Sequence, residues 1–212
     1  MSNYGDDRNK SDRLWKRFVK SGLCNEPIVS HRKAPEVEDN NNAIDYYIND
    51  DTPVQWRVQF IENKKSCPYF PTFRYERPNS KSSQQQRSEY FKIERNIKTL
   101  KPFPKYHIWA LYNKSMKRFE EIYILDISKF YDADHVLIAG SHYNSDGEKI
   151  VAFKTLEGKY VASKISDLDK KKIYLIEKIN TEKCCSNSSF VVINLNLGCA
   201  KDIIKYHHKS SF

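Results

Sequence analysis

A strand, a turn and a second strand between residues 43 and 61 constrain the fold more than any other part of the sequence. In the second strand the apolar residues Val54, Trp56, Val58 and Phe60 alternate with polar ones. This period of two is typical of a β-strand that buries one face. Residues 49–53 between the strands are rich in Asn, Asp and Pro, which favour turns. The segment therefore predicts a β-hairpin that belongs to a sheet.

A helix is predicted before this hairpin. Leu14, Trp15, Phe18 and Val19 recur at helical spacing. Ser11 or Asp12 can cap the start of this helix, and Gly22 can end it. Residues 25–42 are polar and contain prolines, so they are interpreted as a connector.

A second helix is predicted over residues 89–100, with Ser88 as its N-terminal cap. Its inward-facing positions are expected to be Phe91, Ile93 or Ile97, and Leu100. Two prolines that follow, at positions 102 and 104, are expected to stop it. Between the hairpin and this helix, residues 78–87 predict a mobile loop rich in Ser and Gln.

Short apolar or alternating segments predict further strands. They cover residues 70–75, 106–112, 121–127, 135–139, 149–154, 159–163, 173–176 and 190–197. The expected fold is therefore α/β (α+β), with a central mixed sheet, a few flanking helices and a small antiparallel C-terminal extension. We expect a disordered tail over residues 1–11, a core over 12–130 and a β-rich extension of the same domain over 131–212.

The charge of the chain points to a polyanionic partner. Its 36 Lys and Arg exceed its 27 Asp and Glu, which gives a formal net charge of +9. Between residues 62 and 118 there are fourteen Lys and Arg but four Asp and Glu, whereas residues 36–51 are acidic. For an intracellular protein such an excess favours nucleic acid as the partner, and DNA and RNA remain alternatives.

Several classes of protein are disfavoured by what the sequence lacks. It has no apolar run of about 18 residues and no apolar leader at its N-terminus, so neither a membrane nor secretion is expected. An intracellular location, cytoplasmic or nuclear, follows. The five cysteines are scattered without a CxxC pair, which predicts reduced thiols rather than a zinc site. No Gly-rich phosphate loop and no GxSxG motif occur.

One constellation resembles a catalytic core. Asp45 lies in the first strand of the hairpin, and Gln55 and Arg57 share one face of the second. With the preceding helix and acidic connector, this layout resembles the core of the PD-(D/E)XK nuclease superfamily over residues 12–127. The resemblance implies a metal-dependent endonuclease, a hydrolase that cleaves phosphodiester bonds with Mg²⁺ or Mn²⁺.

The resemblance also assigns roles to residues. Asp45 would be the metal-binding carboxylate, Gln55 stands where an acidic ligand usually lies, and Arg57 stands in place of a lysine. Gln keeps a ligating oxygen but loses the charge, and Arg cannot act as a base, so a degenerate active site is an alternative. The catalytic set is Asp45, Gln55, Arg57 and Lys92, and the metal set is Asp45, Glu38 and Gln55. Other acids that could contribute are Glu36, Asp39 and Glu89, the last of which equally suits the first turn of a helix.

The length of the hairpin loop tests this arrangement. Partners across a β-ladder share a face, so Asp45 can lie beside Gln55 and Arg57 only when the loop has an odd number of residues. A three- or five-residue loop satisfies this condition. A four-residue loop at 49–52 would turn Asp45 away.

Nucleic-acid binding is predicted in the basic region, at Lys64, Lys65, Arg74, Arg77, Arg87, Arg95 and Lys98. A non-catalytic nucleic-acid-binding protein that uses the same residues is the alternative, as is a scaffolding subunit of a nucleoprotein assembly. In that case the C-terminal region would contact a protein partner or a second copy of the chain. His207 and His208 are interpreted as part of a solvated basic tip or as a phosphate contact.

Overall fold

The computed structural model describes residues 4–24, 26–61, 71–76, 88–132, 135–154, 159–170, 174–180, 189–193 and 198–210. It confirms the α/β class, because two six-stranded sheets are flanked by short helices. The chain forms two compact units. The first comprises Met1–Lys65, Pro102–Asp126 and Ile204–Phe212, and the second comprises Ser66–Lys101 and Ile127–Ile203.

The first unit is a mixed sheet with the order β1-β2-β3-β5-β6-β12. Its strands are β1 (His31–Lys33), β2 (Tyr46–Ile48), β3 (Thr52–Ile61), β5 (Tyr106–Asn113), β6 (Arg118–Asp126) and β12 (Ile204–Lys209). Strands β2 and β3 form the predicted hairpin, and β5 and β6 form a second one. The two hairpins join through β3 and β5, which pair in parallel.

Helix α1 (Tyr4–Ser21) packs on one face of this sheet. Trp15 and Phe18 are 1% and 0% exposed, and they pack against Trp56 of β3. Trp15 also stacks on Tyr46 with ring centroids 4.2 Å apart. The alternation seen in the sequence of β3 therefore matches the buried face that receives α1.

The second unit is a sheet with the order β4-β11-β10-β7-β8-β9. Its strands are β4 (Thr72–Glu76), β7 (His135–Tyr143), β8 (Lys149–Lys154), β9 (Tyr160–Lys164), β10 (Tyr174–Asn180) and β11 (Ser189–Ile193). Neighbouring strands of this sheet pair antiparallel, except β7 and β10, which pair in parallel. The unit also contains α3 (Glu89–Lys98), α4 (Ile127–Asp132), α5 (Ile165–Lys170) and a 3₁₀ helix (Gly198–Ile203).

Near the N-terminus the structure corrects two expectations. Helix α1 begins at Tyr4, so the disordered tail expected over residues 1–11 is wrong for the described part of that segment. The connector over 25–42 contains β1 and a short helix, α2 (Glu36–Asn42). Both are short and mostly exposed, so they leave little apolar periodicity in the sequence.

At the end of α3 the expectation for Leu100 is wrong. The helix ends at Lys98, and the side chain of Leu100 is 96% exposed. Its backbone is left-handed, with φ of 54°. The helical period that predicted an inward side chain therefore no longer applies at this position.

The two units also divide the chain differently from the predicted boundary near residue 130. Residues 204–209 form β12, which pairs with β6 of the first unit rather than extending the second sheet. The predicted mobile loop at 78–87 lies outside the described residues. Within the described ranges, no helix combines the length and the apolar character needed to cross a membrane.

Candidate functional site

Asp45 lies immediately before β2 and is held by the backbone of β3. Its amide donates to the carbonyl of Val54 at 3.0 Å, and its Oδ2 accepts the amide hydrogen of Trp56 at 2.8 Å. The loop between the strands has three residues, Asn49, Asp50 and Asp51, and Ile48 pairs with Thr52. This is one of the two loop lengths that bring Asp45 alongside Gln55.

Gln55 belongs to a buried polar pair. Its side chain is 2% exposed, and its Oε1 lies 2.8 Å from Nδ1 of His107, which is fully buried. The two residues are register partners across the parallel β3–β5 ladder. With Oε1 as the acceptor, Nδ1 of His107 is the donor. The sequence did not predict this partner.

Glu38 is also engaged within the protein. Its Oε2 accepts a hydrogen bond from the hydroxyl of Tyr47, whose ring lies 3.9 Å from the guanidinium of Arg32. Partial burial, and then the hydrogen bond and charge of Glu38, raise the pKa of Tyr47 to about 12. Glu38 thus acts as an acceptor for a neutral phenol.

The predicted metal set was Asp45, Glu38 and Gln55. Each has a hydrogen-bond partner inside the protein. Within the part of the chain that the structure describes, no group of three or more His, Cys, Asp or Glu side chains could hold a metal ion. A divalent cation at this place would have to compete with the existing hydrogen bonds.

The other two predicted catalytic residues lie on different elements. Arg57 is a partly exposed residue of β3 and pairs in register with Trp109. Lys92 belongs to α3 of the second unit and is 5% exposed. It does not lie on the hairpin that carries Asp45.

Of the predicted nucleic-acid contacts, three lie in described segments. Arg74 is partly exposed in β4, and its amide donates to Glu89 Oε2 at 2.9 Å. Arg95 and Lys98 are exposed on α3, where Lys98 forms an ion pair with Glu94 at 2.8 Å. The remaining predicted contacts, Lys64, Lys65, Arg77 and Arg87, fall outside the described residues.

The exposed side of α1 is basic, a feature that the sequence reading missed. Arg13, Lys16 and Lys20 lie opposite the buried Trp15 and Phe18, since a helix turns about 100° per residue. No ion pair of these three is found among the described residues. The helical spacing that located the apolar side also locates the basic one, because the remaining positions between residues 13 and 20 are all Lys or Arg.

A neighbouring cation extends this surface. Nη1 of Arg17 donates to the hydroxyl of Tyr112 at 2.8 Å, and the same guanidinium lies 5.7 Å from the Tyr112 ring centroid. Arg17 is therefore held by β5 while remaining exposed. We call the four residues Arg13, Lys16, Arg17 and Lys20 the α1 basic face.

His207 is exposed but belongs to strand β12 rather than to a tail, which corrects the interpretation of the C-terminal histidines as a tip. Its ring stacks on Tyr123 with centroids 4.1 Å apart, and its Nε2 lies 2.9 Å from Glu121 Oε1. The hydroxyl of Tyr123 donates to the same oxygen. Burial and then Glu121 raise the pKa of Tyr123 above its usual value. These contacts help fix β12 against β6.

No protein-family model, curated protein or solved structure matches the chain.

Proposed function

We propose that this protein binds nucleic acid through the phosphate backbone, using the α1 basic face as a principal contact. The observation that supports this is the spacing of four exposed cations on one side of an ordered helix. Lys and Arg at such a surface bind phosphates and release counterions, so sequence-independent affinity results. The net charge of +9 adds a favourable long-range field.

A membrane surface fits the α1 basic face less well than nucleic acid does. A membrane-bound amphipathic helix inserts its large apolar residues into the lipid. In α1 those residues, Trp15 and Phe18, are buried in the core of the first unit. The exposed cations of this helix are left for a partner, and these suit phosphates.

The test replaces Lys16→Glu and Lys20→Glu together and measures affinity for labelled DNA and RNA over a range of salt concentrations. We expect weaker binding and a slope of log affinity against log salt that is smaller by about two, since each lysine contact contributes about one. The matched control is Lys201→Glu with Lys209→Glu, which changes the charge equally at two other exposed lysines.

Each outcome of this test has a distinct meaning. Wild-type protein that binds neither DNA nor RNA at low salt would refute the proposed function. Equal losses in the test and control variants would show that total charge matters and the α1 basic face does not.

Metal-dependent cleavage at Asp45 is a second candidate, which the three-residue loop and the hydrogen bond between Asp45 and the backbone of β3 favour. The experiment compares cleavage of labelled nucleic acids with Mg²⁺, Mn²⁺ or a chelator in the wild type and in Asp45→Asn. Asparagine keeps an oxygen that can accept the Trp56 amide but removes the charge. Metal-dependent cleavage that disappears in this variant would support a nuclease, and binding without cleavage would support the first candidate alone.

A further inference from the structure

Leu100 combines a left-handed backbone with an almost complete lack of contacts. It follows α3 at the position where the chain reverses, with its amide donating to Ile97 O at 3.3 Å. The next amide, of Lys101, donates to Asn96 O at 2.9 Å. These two bonds form a Schellman motif, in which this position is usually Gly or Asn. A leucine here is strained by its Cβ, yet its side chain packs against almost nothing.

A singly exposed leucine is ordinary on a protein surface, but this backbone is not. Ala43 has a similar φ of 58° at the end of α2, and its methyl group is buried. Lys117, with a φ of 51°, is exposed as well, and Leu100 is the apolar residue of this described set that has the strain without the packing. Strained residues cluster at active sites and ligand contacts, so this outlier supports a functional hypothesis for the side chain.

The surroundings of Leu100 are basic. Arg95 and Lys98 on α3 and Lys101 directly after Leu100 are all exposed. They offset the partial negative charge at the C-terminal end of the helix. The turn thus presents an exposed apolar side chain close in sequence to three exposed cations, of which Lys98 also pairs with Glu94, and we call these four residues the Leu100 tip.

We propose that the Leu100 tip inserts its leucine between base pairs of duplex DNA from the minor groove. The inference rests on the proposed nucleic-acid binding and names a second contact for it. Architectural proteins use Leu, Ile, Phe, Met or Pro as such wedges, with Lys and Arg on the flanking phosphates, and they kink the duplex. A side chain held away from the protein by a fixed turn is suited to this role, because no rearrangement is needed for insertion.

Duplex DNA fits better than a lipid surface. One leucine offers too little apolar area to hold a protein on a bilayer, whereas a wedge needs only one side chain at a base step. The neighbouring cations also have the charge that phosphates attract.

The decisive variants are Leu100→Gly and Leu100→Asn, because both remove the wedge and suit the left-handed backbone. Loss of binding in them cannot be attributed to unfolding. Leu100→Phe keeps a large apolar side chain and should retain binding. Val29→Ser is the matched control, because Val29 is an aliphatic residue that is 84% exposed elsewhere on the chain.

The measurements are affinity for a short duplex by fluorescence anisotropy, and bending of the same duplex by energy transfer between labelled ends. For Leu100→Gly and Leu100→Asn we expect affinity to fall about tenfold or more and bending to disappear. Leu100→Phe and Val29→Ser should behave as the wild type does. Base unstacking, followed with 2-aminopurine at the central step, should vanish with bending.

The outcomes separate this inference from the function on which it rests. Wild-type protein that binds no nucleic acid refutes the proposed function and the wedge with it. Binding that depends on the α1 basic face but is unchanged, with unchanged bending, in Leu100→Gly overturns the wedge alone. Loss of binding to phosphatidylserine vesicles in Leu100→Gly, with duplex binding intact, would overturn the wedge in favour of a lipid contact.

Discussion

At the scale of single residues, the carboxylate of Asp45 has a structural task that is independent of any catalysis. It accepts the amide hydrogen of Trp56, a residue of the aromatic core. Asp45→Ala leaves this amide without its acceptor, which typically costs about 1–3 kcal/mol. We therefore expect the free energy of unfolding to fall by that amount in urea titrations, and Asp45→Asn to lose less.

Asp50 supplies the control for this prediction. It lies in the loop between β2 and β3 and is exposed, so Asp50→Ala should change the free energy of unfolding by less than about 0.5 kcal/mol. Equal stabilities of Asp45→Ala and the wild type would contradict the structural role assigned to the carboxylate.

Tyr47 provides a prediction at alkaline pH. Its folded-state pKa is raised to about 12 from a usual value near 10, because of partial burial and then Glu38. The folded state therefore holds this proton more tightly than the unfolded state does. The stabilisation is fully present below pH 10 and is lost as the pH rises through about 12.

The measurement is a difference titration of tyrosinate absorbance between the wild type and Tyr47→Phe. The difference should contain one tyrosine with a midpoint near 12, and a midpoint near 10 would contradict the prediction. In Glu38→Gln the midpoint should move part of the way down, because burial, the first cause, remains.

At the scale of elements, the backbone of Leu100 after α3 is strained by its positive φ, and a substitution at this position can remove the strain. A left-handed conformation costs a residue with a Cβ about 1–2 kcal/mol, and glycine avoids this cost. Glycine also makes the unfolded chain more flexible, which offsets part of the gain in stability. Leu100 has almost no packing to lose, being 96% exposed. Leu100→Gly should therefore raise the free energy of unfolding by about 1 kcal/mol in urea.

The neighbouring Thr99 makes a matched control. Its φ is −106°, which glycine does not relieve, and its hydroxyl donates to Arg95 O at 2.9 Å. Thr99→Gly should thus lower stability by about 1 kcal/mol. A loss of stability in Leu100→Gly would mean that the side chain has contacts in solution.

The spacing of apolar residues predicted those helices and strands in which such residues recur at a regular interval. The alternation in β3 and the helical spacing of Trp15 and Phe18 gave the hairpin, α1 and the face between them. The hydrogen bond between Gln55 and His107 could not be predicted, because the two residues are 52 positions apart and meet only through parallel pairing of β3 with β5. The predicted burial of Leu100 was wrong because the helical period does not indicate where a helix ends, and Leu100 lies beyond the end of α3.

At the scale of the whole molecule, the least predictable feature was the interleaving of the two units along the chain. Strand β12 returns to the sheet of the first unit after the second unit is complete. Its sequence, IKYHHK, has few strong apolar residues and indicated a polar tip. Its place depends on register with β6, including His207 opposite Tyr123, and such long-range pairing leaves no local pattern.

The interleaving gives a prediction that one probe can follow. All three tryptophans, Trp15, Trp56 and Trp109, belong to the first unit, so their fluorescence reports the unfolding of that unit. A chain that ends at residue 203 lacks β12 and its five register pairs with β6. At roughly 0.2–1 kcal/mol for each pair, the first unit should lose about 1–5 kcal/mol.

The control chain ends at residue 210, which keeps β12 and the hydrogen bonds from Ser210 to Glu120 and Phe119. Its fluorescence transition should coincide with that of the full chain, while the chain ending at 203 should unfold at a clearly lower urea concentration. Coincidence of all three transitions would contradict the assignment of β12 to the first unit. A lower midpoint only in the chain that ends at residue 203 would show that β12 stabilises the sheet of the first unit. Strands β1 and β12 form the two edges of that sheet, although they lie far apart in the sequence.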